Sequence, residues 1–240
     1  MVKTTKKTET KKTKTLKLPP WSAEYKAAIL SGRIKEKYMA GSDVESSFIE
    51  AAAADTDGVC ASQTPGSATN MTINGALADS GSVTFDQPRN LTIASAGDDS
   101  GKTFTVTGTD ETGTAQTEVI TGADTGTATG SSFFATVTQI ATSAATAGAV
   151  TVGSGTSIAA VMFRGRMRLK GLYVVNGASA KTINFRQTSG TGSIRMKFAT
   201  TAGVNTNSYP DIPGEGILFE SGGYITFTQA DFTAMTVFFA

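Results

Sequence analysis

The residue types that carry most enzyme chemistry are scarce in this sequence. The chain of 240 residues has no histidine and a single cysteine, Cys60. Histidine is the commonest general base and transition-metal ligand, and a structural zinc site needs several cysteine or histidine ligands. Serine, threonine, lysine and carboxylates remain, but no spacing singles out a nucleophile and its base. We therefore predict a protein without catalytic residues, cofactor or dedicated metal site.

One stretch, residues 96–103 (AGDDSGKT), has the loose spacing of a phosphate-binding loop. Such a loop must lead into a helix whose N-terminus faces the anion, whereas the next residues, FTVT, are typical of a strand. Asp98 and Asp99 would also bring two negative charges towards the phosphates. The stretch therefore predicts a hairpin loop.

Two acidic pairs are compatible with a weak calcium site but do not predict one. Asp55 and Asp57 stand in DTDG, which resembles the opening of a calcium-binding loop, and Asp98 and Asp99 are adjacent. A third ligand and the closing glutamate are missing from the first pair.

The formal charge of +1 conceals an uneven distribution. Residues 1–41 carry 11 basic and 3 acidic groups, residues 42–155 carry 2 and 13, and residues 156–240 carry 8 and 4. Such segregation indicates different partners for different segments and allows copies to attract one another, basic end to acidic middle. No run of 18 apolar residues and no secretory signal pattern occur in the sequence, so we predict no membrane partner.

Residues 1–20 form a basic, lysine- and threonine-rich extended arm with too few apolar residues to fold alone. Three interpretations stay open: a solvated tail, an anchor that orders on an acidic protein surface, or a phosphate contact to nucleic acid. The candidate partner-binding lysines are Lys3, Lys6, Lys7, Lys11, Lys12, Lys14 and Lys17.

Residues 21–57 are predicted as a short helix and a linker. Ser22 is a reasonable N-cap, Glu24 suits the first turn, and Gly41 could end the helix. This helix either docks on a partner or packs on the β domain of its own chain. Its candidate docking residues are Trp21, Tyr25, Ile29 and Ile34.

From residue 58 the sequence predicts a mainly β protein with two antiparallel β-sandwich domains, immunoglobulin-like or jelly-roll-like, at residues 58–155 and 156–240. Short alternating runs rich in Val, Ile, Thr and Phe are separated by turn residues about every 8–12 positions. The predicted strands are 70–74, 82–86, 89–95, 103–109, 116–121, 133–141 and 149–153, then 160–164, 168–175, 181–186, 193–199, 216–219, 224–228 and 235–239.

Two features of the second domain are candidate contacts between subunits. Arg164, Arg166 and Arg168 alternate with apolar or small residues, so one face of their strand would be cationic, either solvated or against an acidic neighbour. Phe238 and Phe239, near the C-terminus, belong either to the strand core or to a subunit interface.

Several short motifs resemble virion proteins of tailed bacteriophages. They are SVTFDQPRNLTI at 82–93, FTVTGTD at 104–110, TEVITG at 117–122, FATVTQI at 134–140, PGEGILF at 213–219 and TVFF at 236–239. The resemblance covers residues 58–240 and brings no catalytic site with it. It implies a structural protein made in the host cytoplasm and built into the particle.

The prediction from sequence is therefore a non-enzymatic structural protein that decorates or cements a phage capsid. Its partners would be other virion proteins (the major capsid protein, or portal and tail proteins) and further copies of itself. The alternative is a collar, ring or tail-fibre component, with a role in binding host-surface glycans. Against glycan binding, Trp21 is the only tryptophan, and it precedes the β domains.

Overall fold

A computed structural model describes residues 44–50, 52–229 and 231–240, which are built from antiparallel β-strands. The strands are β1 Glu45–Ile49, β2 Cys60–Gln63, β3 Thr69–Asn70, β4 Ala78–Asp79, β5 Ser82–Asp98, β6 Thr103–Thr109, β7 Ala115–Thr121, β8 Asp124–Thr129, β9 Phe134–Thr142, β10 Val150–Phe163, β11 Met167–Asn176, β12 Thr182–Gln187, β13 Ile194–Ala199, β14 Asn207–Ser208, β15 Ile217–Phe219, β16 Gly223–Thr228 and β17 Phe232–Phe239. The predicted mainly β class is confirmed.

Alternation of apolar and polar residues explains why these segments form strands. In β6, TFTVTGT, Phe104, Val106 and Gly108 are buried while the threonines between them are half-buried. Side chains of a strand point to opposite faces in turn, so this pattern buries one face and leaves the other towards solvent.

Two sheets hold the strands. The larger has twelve strands with a main path β13-β12-β16-β10-β5-β9-β6-β7, and β2, β3, β4 and β8 pair beside that path. The smaller has five strands in the order β1-β17-β11-β14, with β15 also paired to β11.

Strands β5 and β10 are longer than the sequence predicts. The predicted strands 82–86 and 89–95 lie in one strand, although its register against β9 shifts between Thr84 and Arg89, around Pro88. The glycine-containing stretch 153–157, predicted as a break, lies inside β10. A Cβ atom at Gly153 would meet the backbone of Asp55, and these glycines therefore allow close approach without ending the strand.

The buried apolar residues fall into two clusters. The N-terminal core includes Leu91, Phe104 and Phe134, and the C-terminal core includes Phe185 and Phe219. Strand β10 contributes Val150 and Val152 to the first cluster and Ile158, Ala160 and Met162 to the second. The predicted domain boundary, between residues 155 and 156, thus falls within a strand that both cores share.

Polar side chains also connect the regions around the two cores. Asn90 donates to the carbonyl of Gly130 at 3.1 Å and accepts from the N–H of Ser157 at 3.0 Å. The buried carboxylate of Glu111 accepts a hydrogen bond from the N–H of Gly190 at 2.5 Å.

Upstream of the cores, part of the predicted linker is a strand. Residues Glu45–Ile49 form β1, which pairs with β17 and buries Ile49 in the C-terminal core. The basic arm and the predicted helix, including all their candidate residues, lie outside the described residues. Over the part of the chain that is described, no helix is long and apolar enough to cross a membrane.

Candidate interaction surface

Four aromatic side chains lie on the outer face of the five-stranded sheet. They are Phe48, Tyr173, Tyr209 and Phe238, and we call them the aromatic face. Phe48 is 61% exposed, Tyr209 is 67% exposed and Phe238 is 36% exposed. Large apolar side chains exposed together on a sheet make this face a candidate interaction surface.

The strand register brings these residues together. Phe48 of β1 is opposite Thr236 of β17, and Thr236 is opposite Tyr173 of β11. One row across three strands therefore carries two of the aromatic rings. Phe238 lies two residues further along β17, on the same side, because alternate residues of a strand share a face.

The tyrosine pair has a defined geometry. The rings of Tyr173 and Tyr209 lie 5.0 Å apart between centroids and are tilted by 48°. The hydroxyl of Tyr173 donates to Oδ1 of Asn207 at 3.2 Å. Partial desolvation and the neighbouring Tyr173 raise the pKa of Tyr209 above its ordinary value.

The ring of Phe238 packs on the neighbouring strand. It lies over Gly171 of β11, where an added Cβ would be 3.4 Å from the ring, an ordinary van der Waals contact. The outer position of Phe238 is therefore set by the pairing of β17 with β11.

The two C-terminal phenylalanines have different surroundings. Phe238 points outward into the aromatic face, whereas Phe239 is only 6% exposed and belongs to the C-terminal core. The ring of Phe239 lies 5.4 Å from that of Phe163. Of the two predicted contact residues, Phe238 is the one available to a partner.

The three arginines predicted to share one strand face do not do so. Arg164 and Arg166 are exposed in the turn between β10 and β11, and only Arg168 lies in a strand. Gly165, between them, has a φ of 138°, a backbone conformation that residues with a side chain rarely adopt. Arg166 lies 3.6 Å from Glu220, and Arg168 donates to the carbonyl of Gly216 at 3.4 Å.

The loop that resembles a phosphate-binding loop closes on itself. Lys102 Nζ lies 2.6 Å from Oδ1 of Asp99 and 3.1 Å from the carbonyl of Asp98. The chain then enters strand β6 at Thr103. Lys102 is therefore bound to groups of its own loop, and the loop is a turn between two strands.

The acidic pairs do not assemble into a larger group. Asp57 donates its backbone N–H to the Asp55 carboxylate at 3.2 Å, an ordinary turn contact. Among the described residues, no group of three or more His, Cys, Asp or Glu side chains could hold a metal ion.

Sequence reasoning missed three of the four aromatic-face residues. Phe48 lies in a segment predicted as linker, and its sequence, ESSFI, has no polar–apolar alternation that would indicate a strand. Tyr209 follows the very short strand β14, and nothing in its local sequence, NSYP, shows that it stacks on Tyr173. The stacking depends on pairing between distant segments.

No protein family model matches the sequence, and no curated protein matches it.

Proposed function

We propose that this protein is a non-enzymatic structural component of a tailed-phage particle that decorates or cements the capsid. The aromatic face is the observation on which the proposal rests, together with the motifs that resemble phage virion proteins. The face offers several rings on a hydrogen-bonded sheet, and rigid aromatic side chains bind a partner with little loss of conformational entropy.

The fold supports a structural role in a second way. We propose that the two cores are two antiparallel sandwiches, immunoglobulin-like or jelly-roll-like, that share β10. This strand pairs with β5 in an unbroken register up to Ser154 and with β16 from Ser157, and it resists bending between the cores because bending would break its ladder hydrogen bonds. Such a unit holds its outer surfaces at a fixed distance from its attachment point.

The charge pattern supplies the proposed anchor. The lysines of residues 1–20 would bind an acidic surface of the major capsid protein or of a portal or tail protein. Contact of the same lysines with packaged nucleic acid is the alternative. Removal of residues 1–41 should abolish co-sedimentation with particles that lack this protein. Binding of the full chain should weaken as salt is raised, since exposed charges are screened.

The aromatic face can be tested separately from the arm. Phe48→Thr with Phe238→Thr removes two rings of the aromatic face and should weaken binding to such particles. The fold should be kept, because both positions are exposed and threonine suits a strand. Leu77→Thr is the matched control, since Leu77 is 40% exposed but lies outside the five-stranded sheet. Equal binding of the double variant and the wild type would exclude the aromatic face as the docking site.

Quantitative mass spectrometry of purified particles tests the assignment itself. Hundreds of copies per particle would indicate capsid decoration, and a few dozen or fewer would indicate a collar, ring or fibre. Absence of the protein from purified particles would refute the structural proposal in either form.

A second candidate function is glycan binding by a collar or fibre component. Tyr209, exposed and in tilted contact with Tyr173 near the amide of Asn207, supports it, because sugar rings bind on aromatic rings flanked by amides. Unlike Trp21, which precedes the β domains, this tyrosine pair lies within the C-terminal β region. In a glycan-array experiment, Tyr209→Ala should remove binding while Phe48→Thr leaves it; the absence of any bound glycan would exclude this function.

A further inference from the structure

The main path of the twelve-stranded sheet ends in two strands that each lack a second neighbour. Among the described residues, β13 pairs only with β12, and β7 pairs only with β6. An edge strand presents unpaired N–H and C=O groups that can bind another strand. The two edges have similar lengths, six residues in β13 and seven in β7.

The β13 edge is cationic. Arg195 and Lys197 are exposed on β13, Lys181 is exposed just before β12, and Arg186 lies within β12. The sequence contains no Asp or Glu from residue 125 to residue 210. The four ion pairs found between described residues use other cations, so the charge of this edge is not neutralised within the described part of the chain.

The β7 edge lies in an acidic environment. Glu118 is in the middle of β7, Asp110 precedes the strand and Asp124 follows it, while the sequence has no Lys or Arg from residue 103 to residue 163. Glu118 accepts hydrogen bonds from Ser131 and Ser132, which leaves its negative charge without a cation. Seven consecutive residue pairs join β6 to β7 without a register shift.

The only two cations between residues 52 and 163 do not neutralise the acidic environment of β7. Arg89 lies 2.7 Å from Asp86, and Lys102 lies 2.6 Å from Asp99. Each is already paired with a carboxylate inside the chain. The remaining acids therefore dominate the field around β7.

We propose that β13 of one copy pairs with β7 of a second copy, so that the large sheet continues from one subunit to the next. Backbone hydrogen bonds would give the affinity, and the opposite charges would fix which edges meet. The two edges differ, so the contact is head-to-tail and generates a ring or a filament. This inference rests on the sheet edges and the charges and is independent of the proposed place in a phage particle.

Charges on an edge strand can also prevent association, and the direction of the change in self-association distinguishes the two roles. Lys and Arg on an edge strand commonly prevent association between sheets. If Arg195 and Lys197 served that purpose here, their replacement by threonine would strengthen self-association. If they dock on the acidic edge, the same replacement weakens it.

The experiment measures self-association of the full chain by sedimentation velocity at low salt over a range of protein concentrations. Arg195→Thr with Lys197→Thr should weaken association about tenfold, and Arg195→Glu with Lys197→Glu should weaken it further. The matched control is Arg166→Glu with Lys170→Glu, which makes the same change in net charge as the glutamate variant but lies outside β13 and its partner strand. Circular dichroism and thermal unfolding verify that each variant is folded.

A charge exchange identifies the mating edge. Thr117→Lys with Thr121→Lys places cations on exposed positions of β7 and should also prevent self-association. Mixing this variant with the Arg195→Glu, Lys197→Glu variant should restore association, because each now supplies the complement of the other. A monomeric wild-type chain, stronger association of the threonine variant, or no recovery in the mixture would each overturn the proposal.

Discussion

Asp86 lies 2.7 Å from the guanidinium of Arg89, a side chain that is only 1% exposed. The same guanidinium donates to the carbonyl of Ala52 at 3.2 Å, and the second carboxylate oxygen of Asp86 accepts from the N–H of Ala52 at 2.7 Å. This small network fastens the segment after β1 to strand β5. It joins residues that are 34 and 37 positions apart in the sequence.

The two partners of this ion pair should respond unequally to substitution. Asp86→Ala leaves a buried guanidinium without its counter-charge and should lower the free energy of unfolding by about 3 kcal/mol. Arg89→Met fills much of the same space and leaves an aspartate that is 38% exposed, so it should cost about 1 kcal/mol.

Urea unfolding of both variants checks this order. Asp79→Ala, which removes an exposed carboxylate whose one hydrogen-bond partner among the described residues is Ser80, is the control and should change stability little. An Asp86→Ala variant as stable as Arg89→Met would show that the buried guanidinium of Arg89 does not need Asp86 as its counter-charge.

The close approach of Gly190 to Ala159 gives a second prediction. An added Cβ at Gly190 would lie 2.5 Å from the Cβ of Ala159 and would crowd Glu111 and Phe133. Gly190→Ala should therefore destabilise the protein by about 1–3 kcal/mol. Thermal unfolding should show recovery when Ala159→Gly is added, since this removes the colliding atom.

Gly66→Ala is the matched control for Gly190→Ala. Its added Cβ would meet nothing within 4 Å, so its stability should equal or slightly exceed that of the wild type. No loss of stability in Gly190→Ala would show that the loop at Gly190 can move away from β10.

Periodicity was sufficient to place most strands but not to define their ends or their partners. The prediction of a strand at residues 103–109 is confirmed as β6, because its alternation is regular and its flanks are turn residues. The glycines at 153 and 155 look like a break in the sequence, yet they serve close packing within β10. Local sequence cannot distinguish these two uses of glycine.

The same limit applies to side chains whose role depends on distant segments. Arginine is usually exposed, but hydrogen bonds to the carbonyl of Ala52 and the carboxylate of Asp86 allow Arg89 to be buried. Tyr209 becomes part of the aromatic face only because β14 pairs with β11, which brings it to Tyr173. The contact of Arg89 with Ala52 and that of Tyr209 with Tyr173 leave no mark in the neighbouring sequence.

The pKa of Asp99 predicts a dependence of stability on pH. Burial of this side chain opposes its ionisation, but Lys102 at 2.6 Å and the N–H of Ala147 at 2.8 Å outweigh burial and hold its pKa below the ordinary value. A group whose pKa is lowered by folding stabilises the protein above its unfolded-state pKa, about 3.9 for aspartate. That contribution is lost as the pH falls through the lower folded-state pKa.

Asp99→Asn should therefore lower the free energy of unfolding by about 2 kcal/mol at pH 7 and by progressively less below about pH 4. Urea unfolding over this pH range measures the difference between variant and wild type. Asp211→Asn, at an exposed position, is the control. A difference for Asp99→Asn that stays constant down to pH 2 would show that the charge of Asp99 does not contribute.

Cys60, the only cysteine of the chain, gives a kinetic measure of opening of the N-terminal core. The side chain is fully buried beside Val152 of β10, and burial raises its pKa to about 12. At pH 8 the thiolate fraction should be roughly a thousandfold lower than for a free cysteine, so a disulfide reagent should react only after the core opens. Gly66→Cys supplies an internal control, because that variant should show one thiol that reacts at once and one that reacts slowly. Immediate reaction of one thiol equivalent in the folded wild type would mean that β2 separates from β10 without unfolding of the core.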